Sequence, residues 1–160
     1  MGADIEILNR REIGGEPVAD LRVRAAPLHG IEIPESLVPL AIDEFPVLFV
    51  AAACAEGRTV LTGAEELRVK ESDRIQVMAD GLQALGIAAQ PTADGMVIDG
   101  GALGGGTVDS RGDHRIAMSF AMAALCADGP IVIDDCANVN TSFPGFVALA
   151  SGVGLGISAA

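Results

Sequence analysis

Residues 43–63 read DEFPVLFVAAACAEGRTVLTG, and this stretch decides the fold because it returns in altered form further along the chain. The second copy is HRIAMSFAMAALCADGPIVID, residues 114–134. Each copy predicts a helix of small residues, a turn made by an acid and a glycine, and a β-branched strand. Gly57 matches Gly129, 72 positions later. The sequence therefore predicts repeated α/β units.

The hydrophobic pattern extends these units along the chain. Strands are predicted for the runs DIEIL, DLRVR, TVLT, MVIDG and IVID. Helices are predicted over residues 44–55, 73–85, 114–127 and 143–150, with Asp43 and Asp113 as N-caps of the first and third. The opening MGADIEI resembles the segment that follows helix 73–85, as if the helix of an earlier unit preceded it. We expect an α/β (α+β) fold of about two units plus the end of a third, and hence a fragment.

Composition limits the functional classes. A net charge of −12 argues against general binding to nucleic acid or to an anionic membrane. The longest apolar run, FPVLFVAAACA, has eleven residues, too few to span a bilayer, and the N-terminus lacks the apolar region of a signal peptide. Three cysteines without CxxC spacing predict buried thiols in a reducing cytoplasm rather than disulfides or a zinc site.

Charge of both signs concentrates in residues 65–74, EELRVKESDR, where seven of ten residues are charged and the only lysine, Lys70, is found. A solvated loop and helix face is the ordinary explanation for such a run. Here, however, Lys70 and Glu71 lie where a strand gives way to an amphipathic helix. Arg74 falls in the first turn of that helix, where the helix dipole favours an acid. A cation beside a helix N-terminus suits an anion that both would hold.

A second charged helix start follows in RGDHRIAMS, where His114 and Arg115 occupy the repeat position that Asp43 occupies earlier. Taken alone, a surface turn explains this motif equally well. The glycine run GGALGGGTVDSRG lacks the phosphate-loop pattern GxxxxGK[ST] and predicts a flexible turn. Together the two helix starts offer donors and acids suited to phosphate-bearing substrates and proton transfer. The donors are Lys70, Arg74, His114 and Arg115, and the acids are Asp43 and Glu71.

The stretches IDEFPVLFVAAA, ELRVKESDRI, GDHRIAMSFAMAAL and TSFPGF resemble, in order and spacing, the C-terminal part of the 5-enolpyruvylshikimate-3-phosphate (EPSP) synthase family. The resemblance implies two similar domains, each of three βαβαββ units, with substrates bound between them. Residues 1–160 would be a single partial domain. It further implies a transferase that moves the enolpyruvyl group of phosphoenolpyruvate to the 5-hydroxyl of shikimate 3-phosphate and releases phosphate, in chorismate biosynthesis. No metal or organic cofactor is implied.

The resemblance also implies catalytic roles, position by position. Asp43 looks like the acid that binds the shikimate hydroxyls and accepts the 5-hydroxyl proton, whether or not it also caps a helix. Lys70 resembles the lysine that bridges the attacking hydroxyl and phosphoenolpyruvate. Glu71 looks like the residue that protonates the methylene carbon.

Binding roles follow in the same way. Arg74 and Arg115 resemble two arginines that clamp phosphoenolpyruvate, with His114 as a neighbouring contact, and a guanidinium fork suits carboxylate or phosphate better than an ammonium does. Thr141 stands where one branch of the family has a lysine, and Glu66 where that branch has an asparagine. These departures bear on the subclass more than on the family.

Other parts of the family pattern have no counterpart here: an N-terminal Lys-Ser segment, a glycine-rich phosphoenolpyruvate loop and the serines for shikimate phosphate. We therefore expect one wall of the cleft, with the N-terminal part of the enzyme as its partner. The isolated chain would then be a catalytically silent folded domain. UDP-N-acetylglucosamine enolpyruvyl transferase shares the repeat and the chemistry, but RVKESDR followed by DHR favours the shikimate enzyme.

Overall fold

The computed structural model describes residues 1–159, and its first element is an antiparallel hairpin. Strand β1 spans Asp4–Ile13 and β2 spans Glu16–Arg24. Gly14 and Gly15 form the turn at φ values of 63° and 86°, a region that side chains disfavour. The hairpin leaves five apolar side chains exposed: Ile5, Ile7, Leu21 and Val23, which share one face, and Ile13 beyond the register shift between Leu8 and Arg11. It therefore contributes little to the core of this chain.

Two further sheets follow the hairpin along the chain. The first is antiparallel, in the order β3-β5-β4, with β3 at Arg58–Leu61, β4 at Ala88–Thr92 and β5 at Gly95–Asp99. The second pairs β6, Gly106–Asp109, in parallel with β7, Ile131–Asp134. Parallel pairing needs a crossover, which is supplied by the helix between these two strands.

Within residues 1–159 the helices are α1 Val38–Ala41, α2 Phe45–Ala53, α3 Arg74–Ala84, α4 His114–Ala123, α5 Val139–Ser142 and α6 Phe146–Gly152. Turns of 3₁₀ helix cover Glu35–Leu37, Ile42–Glu44 and Glu65–Val69. Asp113 caps α4, as predicted. The prediction that Asp43 caps the first long helix is wrong: α2 starts with Pro46 in its first turn and has no side-chain cap. The Asp43 side chain is instead held by cations.

The core forms where α2, α3 and α4 meet the β3-β5-β4 sheet. Phe49, Leu82, Phe120 and Ile98 are each exposed by 1% or less. Gly81 lets α3 approach α4 closely, since a Cβ at this position would lie 2.3 Å from Cζ of Phe120. This packing aligns the starts of the three helices on one side of the domain.

The five predicted strands all form, but β4 and β6 were not predicted. Strand β4 contains Pro91, which its place at the sheet edge tolerates because an edge strand can spare one amide donor. Strand β6 lies inside the glycine run that predicted a flexible turn, and it forms because β7 pairs with it. The helix predicted over residues 143–150 forms as α6, three residues later than predicted, and the short helix α5 before it was not predicted.

The cysteine prediction is wrong for two of the three thiols. Cys126 and Cys136 are exposed, and Cys54 is half-buried. All three are free, and burial together with the neighbouring Cys126 thiol raises the pKa of Cys54 to about 11. Cys126 is exposed because it lies in the turn after α4, beyond the end of the packed helix.

One helical segment is long and apolar enough to cross a membrane by length and composition alone. It runs over Glu35–Ala53, 19 residues, and is longer than the predicted eleven-residue apolar run because the 3₁₀ turns extend it. Its second half packs in the core, with Phe45 and Ala53 exposed by 1% or less. Core helices of globular proteins pass the same test, so this segment is weak evidence for a membrane span.

Candidate active site

Separate parts of the chain bring cations to the carboxylate of Asp43, which lies in the 3₁₀ turn before α2. Its Oδ1 lies 3.5 Å from Nζ of Lys70 and 3.1 Å from Nη1 of Arg74. Its Oδ2 lies 4.0 Å from Nη2 of Arg115. The structure therefore brings these four predicted site residues together at the starts of α2, α3 and α4. We call these four residues and the acids that contact them the charged cluster; the acids are Glu44, Glu66, Glu71 and Asp113.

Arg74, the first residue of α3, is the buried member of the charged cluster, with a side chain only 1% exposed. Its Nε donates a hydrogen bond to Oδ2 of Asp113 at 2.8 Å. Its Nη1 donates to Asp43 at 3.1 Å, and its Nη2 to Oε2 of Glu71 at 2.5 Å. Three carboxylates thus surround the guanidinium, and an anionic ligand at Arg74 has to replace Asp43 or Glu71.

Asp113 joins the starts of two helices. Its Oδ1 accepts the backbone N–H of Arg115 at 2.9 Å, which caps α4, and its Oδ2 accepts from Arg74 at the start of α3. The Oγ of Ser72 donates to Oδ2 as well, at 3.1 Å. Sequence reasoning identified Asp113 as a cap but missed its pairing with Arg74. The sequence alone does not show which helix starts are adjacent, and so it does not show which acid pairs with Arg74.

Arg115 is the second residue of α4 and is more open than Arg74, with a side chain 34% exposed. Its Nη1 donates to the backbone oxygen of Asp43 at 3.0 Å and to Oε1 of Glu44 at 3.1 Å. Equivalent positions of the sequence repeat, 43 and 115, therefore meet in space. His114 is the first residue of α4 and is half-buried, and no hydrogen bond or ion pair between its side chain and the charged cluster is seen in residues 1–159.

Lys70 and Glu71 lie on the loop between the 3₁₀ turn Glu65–Val69 and α3. The ammonium of Lys70 contacts the carboxylates of Glu66 and Asp43, and its side chain is 21% exposed. Glu71 is 52% exposed on the side chain, so its carboxylate reaches both Arg74 and solvent. Glu66, where one family branch has an asparagine, is thus a direct partner of Lys70.

The cations fix the ionisation of the buried and half-buried acids. Burial acts to raise the pKa of Asp43, but the nearby Lys70 and Arg115 outweigh it and hold the pKa below its ordinary value. Burial likewise opposes ionisation of Asp113, yet its hydrogen bond from Arg74 keeps the pKa low. The hydrogen bond to Glu66 raises the pKa of Lys70. At neutral pH Asp43 and Asp113 are therefore carboxylates, and Lys70 is an ammonium.

Acids outnumber cations in the charged cluster. Among the described residues its cations are Lys70, Arg74 and Arg115, and its carboxylates are Asp43, Glu44, Glu66, Glu71 and Asp113. Such an excess disfavours a ligand that carries both phosphate and carboxylate, unless further cations face it from elsewhere. Within residues 1–159, no three His, Cys, Asp or Glu side chains form a group that could hold a metal ion.

A small pocket opens beside the cluster. It has a volume of about 160 Å³ and lies between the starts of α2 and α4, with Asp43, Glu44 and Arg115 at one side. Its other walls are mainly apolar and include Val47 and Met118. Arg115 therefore faces a site with an apolar wall, where a charge interaction is less screened than in open water.

A family model for EPSP synthase (3-phosphoshikimate 1-carboxyvinyltransferase) matches residues 1–149. The chain belongs to the EPSP synthase family. Two relatives named 3-phosphoshikimate 1-carboxyvinyltransferase, from Nitrosococcus oceani and Methylococcus capsulatus, are each 74% identical over 157 residues. These residues are 98% of this chain but 35% and 36% of the relatives, so the chain spans about a third of their length.

A solved structure of EPSP synthase from Acinetobacter baumannii gives the same result for the fold. It matches with a TM-score of 0.93 and 57% identity, over 97% of this chain and 37% of that one. The predicted resemblance and the α/β class of the EPSP synthase fold are confirmed. EPSP synthases are enzymes by the name of the family, and this chain is a partial segment of one.

Proposed function

We propose that this chain forms one wall of the active site of a longer 3-phosphoshikimate 1-carboxyvinyltransferase. That enzyme would transfer the enolpyruvyl group of phosphoenolpyruvate to the 5-hydroxyl of shikimate 3-phosphate and release phosphate. The observation that carries the proposal is the convergence of Lys70, Arg74 and Arg115 on Asp43. The names of the relatives support the same reaction.

Proton transfer is assigned to the acids of the charged cluster. Asp43 is ionised and 45% exposed on its side chain, so it can accept the proton of the 5-hydroxyl as the oxygen attacks phosphoenolpyruvate. Lys70 is close enough to Asp43 to stabilise charge on the attacking oxygen. Glu71 would carry a proton to the methylene carbon, and its half-exposed carboxylate can collect that proton from solvent. A proton would leave the same carbon again as the C–O bond to phosphate breaks, which restores the methylene of the transferred enolpyruvyl group.

Anion binding is assigned to the two arginines. Asp113 holds Nε of Arg74 from behind, while Glu71 and Asp43 occupy its other donors. We infer that the phosphate or carboxylate of phosphoenolpyruvate replaces the Glu71 carboxylate on Arg74. Binding would then release Glu71 for proton transfer. Arg115, which contacts Glu44 in the same way, would exchange that carboxylate for the substrate.

The rest of the longer protein is the partner that this wall requires. Because acids outnumber cations here, the opposite wall has to supply further positive charge for the two anionic substrates. The proposed reaction needs no metal or organic cofactor. Three free cysteines suit a reducing cytoplasm, which is the location that we propose. The isolated chain would fold without turning over substrate.

A chimera tests the proposed function. Residues of this chain replace the aligned 157-residue segment of the Nitrosococcus oceani relative. We expect the chimera to release phosphate only when phosphoenolpyruvate and shikimate 3-phosphate are both present, and the isolated chain to release none. UDP-N-acetylglucosamine serves as the alternative acceptor. A folded chimera that is inactive with shikimate 3-phosphate, or that prefers the nucleotide sugar, would contradict the proposal.

A further inference from the structure

Arg68 makes three hydrogen bonds outside its own turn. It lies in the 3₁₀ segment Glu65–Val69, two residues before Lys70. Its Nε donates to the backbone oxygen of Ala93 at 2.8 Å, and its Nη2 to that of Thr92 at 2.5 Å. Its Nη1 donates to Oδ2 of Asp73 at 2.5 Å. The side chain is 28% exposed, so solvent competes little for these donors.

The acceptors of Arg68 belong to two well-fixed elements. Thr92 ends β4 and Ala93 begins the turn to β5, so both carbonyls are held by the sheet. Asp73 caps α3, because its Oδ1 accepts the backbone N–H of Gln76 at 3.0 Å. One guanidinium therefore links the end of a sheet strand to the start of a helix.

The residues between Arg68 and Asp73 are those assigned to the chemistry. Lys70, Glu71 and Ser72 follow one another as bends, outside any helix or strand. The far end of this loop is also held, since Ser72 donates to Asp113 at 3.1 Å. Lys70 and Glu71 lie between these two attachments. Their positions relative to Asp43 and Arg74 thus depend on both.

We infer that Arg68 is a positioning residue that sets the placement of Lys70 and Glu71 for the reaction. The inference rests on the proposed function of these two residues. Arginine suits the task because its planar fork presents five donors in fixed directions, whereas a lysine ammonium cannot reach two carbonyls and a carboxylate at once. Catalytic groups displaced by about 1 Å can lose roughly a hundredfold in rate. Arg74 and Arg115 also have anchors that do not involve Arg68, in the carboxylate of Asp113 and in the backbone of Asp43.

The test uses the same chimera with Arg68→Ala and Arg68→Lys. Arg58→Ala is the matched control, because Arg58 also pairs through two nitrogens, with Asp99 at 2.7 and 2.9 Å, but lies away from the loop. Titration calorimetry with phosphoenolpyruvate counts the folded sites, and kcat is expressed per counted site. We expect Arg68→Ala to lower this kcat by roughly ten- to a hundredfold. The KM for phosphoenolpyruvate should change less than kcat, because Arg74 and Arg115 keep their bonds to Asp113 and to the backbone of Asp43. Lysine should restore only part of kcat, and the control should match the parent.

Amide hydrogen exchange of residues 69–72 provides a readout independent of turnover. We expect the Arg68→Ala loop to lose protection, and the loop of the Arg58→Ala control to keep it. Because kcat is expressed per counted phosphoenolpyruvate site, a smaller folded fraction does not lower its value. The shape of the pH profile of kcat adds a further check, since unfolding lowers the amplitude of this profile while displacement of Lys70 and Glu71 changes its shape.

Asp73→Asn covers the case in which Arg68→Ala does not fold. Asparagine keeps the helix cap but removes the carboxylate that faces Arg68, so kcat and loop protection should fall, less than in Arg68→Ala. Unchanged kcat per site and unchanged exchange in the folded variants would overturn the positioning role while the proposed function stands. If the parent chimera itself is inactive, the proposed function fails, and the exchange comparison alone decides whether Arg68 holds the loop.

Discussion

Two regions of the molecule contain arginine–carboxylate pairs, one exposed to solvent and the other buried. On the hairpin, Nη1 of Arg22 lies 3.0 Å from Oε2 of Glu6, with side chains 54% and 44% exposed. In the charged cluster, Nε of Arg74 lies 2.8 Å from Oδ2 of Asp113, with side chains 1% and 0% exposed. The distances are nearly equal, so burial is the difference between the two pairs.

Burial changes what such a pair can contribute. An exposed pair is screened by water and contributes about 0–1 kcal/mol. A buried pair first loses the hydration of both charges, so it is weak evidence for stability even though breaking it is costly. The charged cluster is therefore poorly explained as a stabilising device. Its charges are better explained by the anionic substrates that we propose for it.

The largest expected effect is the loss of the buried pair. Asp113→Ala leaves the Arg74 guanidinium buried without its main partner and also removes the cap of α4. We expect the free energy of unfolding to fall by about 3–5 kcal/mol. Urea unfolding of the chain followed by circular dichroism measures it. A loss below about 1 kcal/mol would make this pair equivalent to those of the hairpin.

The second-largest effect is expected from acid, which should weaken the buried pair of Arg74 and Asp113. Although burial acts to raise the pKa of Asp113, Arg74 and Ser72 hold it below its ordinary value of 3.8. A lowered folded-state pKa gives stability that is fully present above the unfolded value and lost as pH falls through the folded one. We expect stability to drop below about pH 4, and Asp113→Asn to flatten that drop. Equal pH slopes for both proteins would contradict the assignment.

The smallest effect is expected on the hairpin. Arg22→Ala removes an exposed pair with Glu6, so we expect the free energy of unfolding to change by about 0–1 kcal/mol. The same urea experiment measures it, and added salt should make little further difference to the variant. A loss above about 2 kcal/mol would show that exposure does not separate the two regions.

The sequence predicted the elements whose pattern is local. IVID forms β7, as its run of β-branched residues predicts, and the repeat predicted where α2 and α4 begin. Strand β6, GTVD, has no such pattern of its own and depends on pairing with β7, 25 residues further on.

The candidate site shows the same limit. Motif and resemblance picked out Asp43, Lys70, Arg74 and Arg115, which the structure brings together. They could not reveal that Asp113 holds Arg74, because a helix cap already accounted for that acid and spacing does not show which helix starts are adjacent. Asp43 was predicted to cap α2 because aspartate is a common N-cap residue. In the structure its carboxylate instead interacts with Lys70, Arg74 and Arg115.

The central claim is that the charged cluster is one wall of an anion-binding active site, and Arg115 tests it most directly. Arg115 is 34% exposed and lies outside the buried pair, so its replacement should damage folding less than that of Arg74. In the chimera, we expect Arg115→Ala to raise the KM for phosphoenolpyruvate by roughly ten- to a hundredfold, about 1.5–3 kcal/mol. Arg115→Lys should recover part of it, because the charge returns without the fork.

The comparison that decides is the KM for each substrate in these variants, with Arg22→Ala as the control on the exposed hairpin. The account predicts a large rise for phosphoenolpyruvate, a small one for shikimate 3-phosphate, and no change in the control. A normal KM for phosphoenolpyruvate in folded Arg115→Ala would contradict it, and the cluster would then be a structural network of ion pairs.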